Sequence, residues 1–252
     1  MTGHLGWEQP RVQDWVDRFD AVMRAHVPWR DAAHRTALDL VSEFGATESI
    51  VDLGCGTGAL CAWLLEQLPD SRVTGLERDP VMIAVAQAHL RGRATVREQD
   101  LTRSGWGAAG PARFSAAIAS SVLHMVDAAG YAAVAGELAA VLRPGGLFVD
   151  IDEMAVDPPV PRLAAACAGL RQRTLAARVA GAREDHDAWW AALLTEPELA
   201  AAVRQRQERC STGPSGPPAS VAQRTAALLG AGFTEVAVVE RRLDVAVLAA
   251  LR

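Results

Sequence analysis

Short apolar runs alternate with longer stretches of helical spacing along most of the chain. Five of these runs predict strands: SIVDLG, RVTGLE, ATVREQD, FSAAIASS and GLFVDIDE. After the first run, Leu60, Leu64 and Leu68 recur at i, i+4 and i+8, which predicts a helix with one apolar stripe. Alternating strands and helices are typical of βαβ units, so we expect a largely parallel sheet with helices on both faces.

Several predicted helices begin at residues suited to capping. Asp79 stands at the N-cap position of the segment RDPVMIAVAQAHL, and Asp127 precedes a helix expected to run up to RPGG, residues 143–146. Ser220 and Gln223 form a capping-box pattern for a later helix. These signals set the predicted boundaries between helices and strands.

The pattern changes in the second half of the chain. Residues 155–212 carry helical spacing without a strand signal, and GPSGPP, residues 213–218, predicts a break. The closing runs FTEVAVVERRL and DVAVLAALR are close enough to form an antiparallel hairpin.

The predicted fold class is α/β: a doubly wound, Rossmann-like, seven-stranded sheet, mostly parallel with a C-terminal antiparallel hairpin, plus a helical insertion. We divide the chain into an N-terminal helical segment, a Rossmann-like core, the insertion, and a C-terminal helix with the hairpin, at 1–44, 45–153, 154–219 and 220–252.

Composition and charge narrow the class of protein. The 252 residues are 50% hydrophobic and 22% charged, which allows a sizeable core and excludes disorder for most of the chain. The net charge of -5 and the pI near 5.7 give no general attraction to nucleic acid or anionic membranes, so neither is an expected partner. Because the sequence shows no leader pattern and no 18-residue apolar run, we expect a cytoplasmic protein. The expected oligomeric state is a monomer or a homodimer.

The cysteines carry no pattern of metal ligands or disulfides. The sequence has four, and none belongs to a CxxC pair or to a Cys/His cluster with metal spacing: Cys55, Cys61, Cys167 and Cys210. We therefore expect no bound metal and no disulfide framework. The thiols are predicted to be buried or idle in a reducing compartment.

A glycine-rich turn follows the first predicted strand. In SIVDLGCGTGAL, residues 49–60, three glycines lie within five positions between a strand and a helix. Glycine permits positive φ angles and a close approach of the backbone to a ligand. The turn also lies at a helix N-terminus, where free N–H groups and the helix dipole favour an anionic or electron-rich group. These residues predict a ligand site.

The later motifs extend this one into a recognisable series. VDLGCGTG, VTGLERDPVMIAVA, REQDL, SSVLHMV, LRPGGLFV and LLGAGFTEVAVV together resemble the class I S-adenosylmethionine-dependent methyltransferases, over roughly residues 45–153 and 220–252. The resemblance implies S-adenosylmethionine as the cofactor. It assigns Glu77 to the ribose hydroxyls and Asp100 to the adenine amino group, with Leu101 beside the ring. It gives the remaining cofactor cradle to Asp52, Gly54, Cys55 (through its backbone), Gly56, Gly58, Arg78 and Ser120.

Elementary chemistry agrees with part of this assignment. A carboxylate at Glu77 accepts hydroxyl donors and repels a 2′-phosphate, which argues against an NADP-type ligand. Alternatively, Glu77 is a surface acid paired with Arg78, and Asp100 is a turn-forming aspartate.

Two other functions remain open at this stage. GCGTGA also satisfies G-x-G-x-x-A with an acid about 20 residues later, as in a nicotinamide-dependent oxidoreductase. Asp52, Gly58 and the order of the later motifs favour the methyltransferase. A non-catalytic cofactor-binding or regulatory domain is the third hypothesis, because fold and function are separable.

The predicted acceptor is a small molecule, such as a specialised metabolite. His124 follows the fourth strand and is the candidate catalytic base, with a packing or supporting histidine as the alternative. Asp152 and Glu153 either bind the acceptor or only cap the strand end. His186 reaches the site only if the insertion closes over it. No Asn-Pro-Pro-Tyr-like sequence follows the fourth strand, which disfavours nucleobase and protein-glutamine acceptors.

Substrate choice is expected to depend on the N-terminal segment and the insertion. Aromatic residues concentrate there, and most are predicted to pack the added helices onto the core rather than to line a pocket: Trp7, Trp15, Phe19, Trp29, Trp189 and Trp190. Leu163, Cys167 and Leu170 share one face of a predicted cover helix. RQRQER, residues 204–209, predicts a solvated helix face.

Overall fold

The structure is a computed structural model that describes residues 6–27, 29–107, 114–154, 160–179, 181–209 and 216–252. Cys210 and residues 213–215 of the predicted break lie outside the described residues. The strands are β1 (Ser49–Leu53), β2 (Arg72–Glu77), β3 (Thr95–Glu98), β4 (Phe114–Ser120), β5 (Leu142–Glu153), β6 (Glu235–Arg242) and β7 (Val245–Leu251).

These strands form one seven-stranded sheet in the order β3-β2-β1-β4-β5-β7-β6. Strands β1 to β5 pair in parallel, whereas β7 runs antiparallel to β5 and β6. The predicted sheet and its closing hairpin are thus confirmed. Chain order reverses between β1 and β4, and the loops after these two strands leave a crevice at their carboxyl ends.

Nine α-helices occur in the described part of the chain. They are α1 (Gln9–His26), α2 (Arg30–Glu43), α3 (Ala59–Gln67), α4 (Pro80–Leu90), α5 (Ala128–Val141), α6 (Pro161–Val179), α7 (His186–Leu193), α8 (Ala200–Arg209) and α9 (Val221–Gly230). The predicted caps are present: Asp79 accepts from Val81 N, Asp127 from Gly130 N, and Ser220 and Gln223 complete a capping box.

Two apolar cores cover the two faces of the sheet. Helices α2, α3 and α4 pack on one face, around Ile50, Leu64 and Ile118. Helices α5 and α9 pack on the other, around Leu138 and Leu228. Burial of both faces explains the apolar runs of the central strands β1, β4 and β5, whereas the edge strand β3 is mostly exposed.

A third apolar cluster joins α1 to α4, α7 and α8. Trp7, Trp15 and Trp189 are almost fully buried in it, so the prediction that these aromatics pack the added helices is confirmed. Arg18 of α1 donates to both carboxylate oxygens of Glu184, at 2.6 and 2.7 Å, just before α7 begins. The N-terminal segment and the segment of α7 and α8 therefore form one packed layer beside the sheet.

Helix α6 is attached differently. None of its residues is buried, and Arg171 ties it to the sheet by ion pairs with Glu153 and, at 2.8 Å, with Asp244. The face that carries Leu163 and Leu170 points away from the protein, because Leu163 is 65% exposed and Leu170 is 47% exposed. A different face of α6 lines a cavity described below.

The boundary expected at residues 143–146 also differs. The helix ends at Val141, but β5 already begins at Leu142 and includes the RPGG residues. A register shift against β4, between Phe114 and Ala116, accommodates them as an irregularity within the strand. Within the described residues, no helix combines the length and apolarity needed to cross a bilayer.

Candidate active site

A cavity of about 710 Å³ opens at the carboxyl ends of β1, β2 and β4. Such a position, where chain order reverses, is the general ligand site of open α/β sheets. Seven of the predicted cofactor residues line it: Asp52, Gly54, Cys55, Gly56, Glu77, Arg78 and Ser120. Gly58, Asp100 and Leu101 are absent from its walls. We call this space the cofactor cavity.

The three glycines of the loop all have positive φ angles but serve different ends. A Cβ on Gly54 would lie 2.4 Å from Val122 Cγ2, and one on Gly58 would lie 2.8 Å from Leu90 Cδ1. On Gly56 the nearest atom would be Phe19 Cε1, at 3.9 Å. Two of the glycines therefore allow close protein packing, and Gly56 is the one that borders open space.

This contrast predicts that Gly58→Ala lowers stability more and that Gly56→Ala lowers cofactor affinity more. Both variants carry the cost of a side chain at positive φ, about 1–2 kcal/mol. Only Gly58→Ala adds overpacking, about 1–3 kcal/mol, so thermal unfolding should show it as the less stable of the two. Calorimetry should show the larger loss of cofactor affinity, about tenfold or more, for Gly56→Ala. Equal affinity losses in the two variants would contradict this division of roles.

Glu77 lies at the end of β2 and is held by the backbone of the loops around it. Its Oε2 accepts from Gly56 N at 3.0 Å, and its Oε1 accepts from Arg78 N at 2.7 Å and Asp79 N at 2.9 Å. Burial raises the pKa of Glu77, and these three donors limit the rise. A carboxylate has about four acceptor sites, so one remains free, and binding two ribose hydroxyls requires that one backbone bond be exchanged.

The predicted adenine site at Asp100 is not assembled at the cavity wall. Asp100 Oδ1 accepts from the backbone and hydroxyl of Thr102, at 3.0 and 2.7 Å. Although burial alone raises the pKa of Asp100, these bonds and nearby arginines lower it overall. Leu101 is buried in the core, and its carbonyl accepts from Trp106 Nε1 at 3.3 Å. The turn-forming alternative describes Asp100 in this structure, and its role toward adenine stays a prediction.

Asp52 closes the inner end of the cofactor cavity. It is 2% exposed, and burial raises its pKa to about 7, even though Cys61 Sγ donates to Oδ2 at 3.2 Å. A positively charged group of a ligand would stabilise its ionised form. Cys55 and Cys61 are free, buried thiols, and the described residues contain no cluster of three or more metal-ligating side chains.

Two residues were missed from the sequence: Arg206, which lines the cofactor cavity, and His34, which lies outside the lining and bonds to Ser120 in it. His34 of α2, which is buried and has its pKa lowered to about 3 by burial, forms a 2.8 Å hydrogen bond with Ser120 Oγ. Arg206, predicted on a solvated helix face, donates to Asp79 Oδ2 at 2.5 Å and lies 4.3 Å over the Trp190 ring. Only tertiary packing of α2 and α8 brings these residues to the site, so no local pattern signals them.

A second cavity, of about 810 Å³, adjoins the first. The two share part of their walls: Phe19, Met23, Ser121, Val122, Met125, His186 and Asp187. His186 thus lies at both cavities. Helix α6 contributes Gln172, Leu175, Ala176 and Val179 to the second cavity. We call this space the acceptor cavity.

His124 and Asp152 meet in the wall of the acceptor cavity. His124 Nδ1 lies 2.7 Å from Asp152 Oδ1, and the backbone N–H of His124 donates to Asp152 Oδ2, also at 2.7 Å. Burial lowers the pKa of His124, but the hydrogen bond and charge of Asp152 outweigh it, so the pKa is raised overall. Asp152 is 2% exposed, so its role is more than capping a strand end in water.

A network of buried hydrogen bonds and ion pairs adjoins Asp152 on the side of α9. Arg224 of α9, with no exposed surface, donates to Asp150 Oδ2 at 2.7 Å and lies 3.7 Å from Asp152 Oδ2. Tyr131 donates to the same Asp150 oxygen at 2.9 Å. Burial raises the pKa of Asp150 to about 6, although Arg224 opposes the rise. The C-terminal helix thereby fixes the acids beneath His124.

Together, the sheet order and the glycine loop define an α/β protein that binds a nucleoside cofactor between β1 and β4, where chain order reverses.

Comparisons with known proteins identify the family. Residues 50–146 match the family described as "Methyltransferase domain". A ubiquinone biosynthesis O-methyltransferase from Methylobacterium sp. (strain 4-46) is 32% identical over 209 residues, 78% of this chain and 74% of the relative. A trans-aconitate 2-methyltransferase from Azoarcus sp. (strain BH72) is 30% identical over 160 residues, 63% and 59% of the two chains.

Solved structures agree on the fold. Human N-acetylserotonin methyltransferase in complex with S-adenosylmethionine superposes with a TM-score of 0.58 at 15% identity, over 94% of this chain and 56% of that one. An amino pentose methyltransferase from Micromonospora echinaspora with bound S-adenosylmethionine gives 0.57 at 18% identity, over 89% and 91%. The chain belongs to the class I S-adenosylmethionine-dependent methyltransferases, and this assignment excludes the nicotinamide alternative.

The residues of the cofactor cavity fit S-adenosylmethionine. Gly56 borders open space, and Glu77 keeps one acceptor site for a hydroxyl donor. Arg30 and Asp52, both in the cavity wall, supply charges complementary to the carboxylate and ammonium groups of the cofactor's amino acid. The roles of the individual cradle residues stay predictions.

Proposed function

We propose that this enzyme transfers the methyl group of S-adenosylmethionine to a hydroxyl oxygen of a small molecule, with His124 as the general base. The observation that carries the proposal is the 2.7 Å contact between His124 Nδ1 and Asp152 Oδ1 in the wall of the acceptor cavity. The cavity volume lies in the range of small-molecule sites. The name of the ubiquinone biosynthesis O-methyltransferase relative supports transfer to oxygen.

The residues of the site divide the work between them. When bound, the cofactor would supply an electrophilic methyl group: the acceptor oxygen forms a bond to the methyl carbon, and S-adenosylhomocysteine leaves as the carbon–sulfur bond breaks. Asp152 accepts a hydrogen bond from the Nδ1–H of His124, which leaves Nε2 unprotonated and able to accept the proton of the acceptor hydroxyl. The positive charge that develops on the imidazole is stabilised by Asp152. His124 and Asp152 thus move and hold one proton.

We propose that the N-terminal segment, residues 1–44, and the insertion, residues 154–219, cover the site and limit water there. Phe19 and Trp190 lie in the wall of the cofactor cavity, on α1 and α7. A cavity closed by such apolar groups strengthens the hydrogen bonds inside it and orients the nucleophile. Motion of this cover, a cytoplasmic location and the oligomeric state stay predictions.

A pH profile tests the proposed base. Because only neutral His124 can accept a proton, kcat/KM should rise with pH through a pKa above the ordinary 6.5 and then level off. An acceptor hydroxyl with a pKa near 10 titrates well outside this window. The rise should disappear in His124→Gln. An unchanged profile in that variant would assign the proton transfer to another group.

A further inference from the structure

The acceptor cavity has a one-sided distribution of charge. Its described lining includes four carboxylates, Asp152, Glu153, Asp185 and Asp187, together with three histidines and neither arginine nor lysine. The sequence contains no lysine at all, so arginine is the one permanent side-chain cation available to this protein. In contrast, three arginines line the cofactor cavity: Arg30, Arg78 and Arg206.

Two arginines contact acids of the acceptor cavity but do not line the cavity themselves. Arg171 binds Glu153 and Asp244, and Arg224 is fully buried between Asp150, Asp152 and the Glu153 carbonyl. Their guanidinium groups neutralise the protein's own carboxylates. Neither residue belongs to the cavity wall, so neither is presented to an acceptor.

The apolar part of the wall is extensive. It includes Phe19, Met23 and Val27 from the N-terminal layer, Leu175 and Val179 from α6, and Val245 from β7. These side chains favour burial of an apolar molecular body. An ionised carboxylate placed against them, without a cationic partner, carries a large desolvation cost.

The proposed general base, His124, also favours an uncharged hydroxyl acceptor over a carboxylate. A carboxylate acceptor is already deprotonated at neutral pH and needs no proton acceptor. A hydroxyl acceptor does, and the 2.7 Å His124 to Asp152 pair provides one. Resting on the function proposed above, we infer that the acceptor is an uncharged, largely apolar hydroxyl compound, and that this site rejects polycarboxylates, the substrates implied by the name trans-aconitate 2-methyltransferase.

Matched acceptors test this inference. Methyl caffeate and caffeate carry the same ring hydroxyls and differ in one negative charge, and trans-aconitate supplies three carboxylates. We expect a kcat/KM for methyl caffeate about tenfold or more above that for caffeate, and no turnover of trans-aconitate. Calorimetry with S-adenosylhomocysteine present should give the same order of binding. Equal use of the ester and the acid, turnover of trans-aconitate, or binding of neither caffeate compound would overturn the inference.

Two substitutions in α6 test whether the preference for the ester over the acid arises from the wall of the acceptor cavity. Gln172→Arg places a cation in the cavity wall and should narrow the difference between ester and acid, whereas Ala177→Arg, on the same helix outside the lining, should leave it unchanged. An identical response of both variants would count against the inference. If the ester binds more tightly than the acid but neither is methylated, the charge preference holds, and the proposed O-methylation fails instead.

Discussion

Replacing His124 with glutamine should lower kcat by about 10²–10⁴-fold, the usual contribution of a positioned general base. Glutamine retains a polar amide near Asp152 but cannot accept a proton at neutral pH. Because His124 lies in the acceptor cavity and not among the residues of the cofactor cavity, S-adenosylmethionine affinity and thermal stability should change little. Steady-state kinetics, calorimetry and thermal unfolding measure these three quantities.

Asp152→Asn provides the companion experiment. An amide that donates toward Nδ1 favours the wrong imidazole tautomer, so kcat should fall although the ring remains in place. Since the two residues act as a unit, the double variant should be little worse than His124→Gln alone. Additive losses, or near-normal turnover in His124→Gln, would mean that the acceptor hydroxyl loses its proton without this pair.

Replacing Arg224 with methionine should destabilise the fold by about 3–5 kcal/mol, the cost of removing one partner from a buried ion pair. The variant leaves Asp150 and Asp152 without their cation in a site with no exposure. Loss of that cation raises the folded-state pKa of Asp150 further. A raised carboxyl pKa lowers stability as pH increases, so denaturant unfolding should show a larger deficit at pH 8 than at pH 6.

Two controls separate this effect from the loss of any arginine. Arg72→Met removes an exposed pair with Glu48, at 2.9 Å, and should change stability by no more than about 1 kcal/mol. Arg224→Lys keeps the charge but not the planar fork, so it should recover only part of the stability. A small, pH-independent loss in Arg224→Met would show that the buried acids are already neutral in the folded protein.

Most of the fold was predictable because both faces of its sheet are buried. The central parallel strands β1, β4 and β5 carry apolar runs, and glycine, proline and capping residues separate these runs from the helices between them. Apolar positions in the sequence did not predict how α6 packs. This helix has no buried residue, so an apolar stripe at Leu163 and Leu170 did not predict which face meets the protein.

The candidate site was predictable where it is local in sequence. Gly56 and Glu77 are 21 residues apart and meet because β1 and β2 are neighbours. In contrast, His34 reaches Ser120 across 86 residues, and Arg224 reaches Asp150 across 74. Such pairs depend on how helices from the two ends of the chain pack, and no spacing rule reports that. Asp100 matched a motif, yet its short-range bonds to Thr102 direct it into a turn.

Product analysis with S-adenosylmethionine carrying a ¹³C methyl group, and with methyl caffeate as the acceptor, tests the central claim most directly. Mass spectrometry and NMR would locate the label and quantify both products. The account predicts one S-adenosylhomocysteine for each ¹³C-methyl group found on a ring oxygen, with formation strongly reduced in His124→Gln. The claim would be contradicted if calorimetry shows both ligands bound to the wild-type enzyme and the ring oxygens nevertheless remain unlabelled.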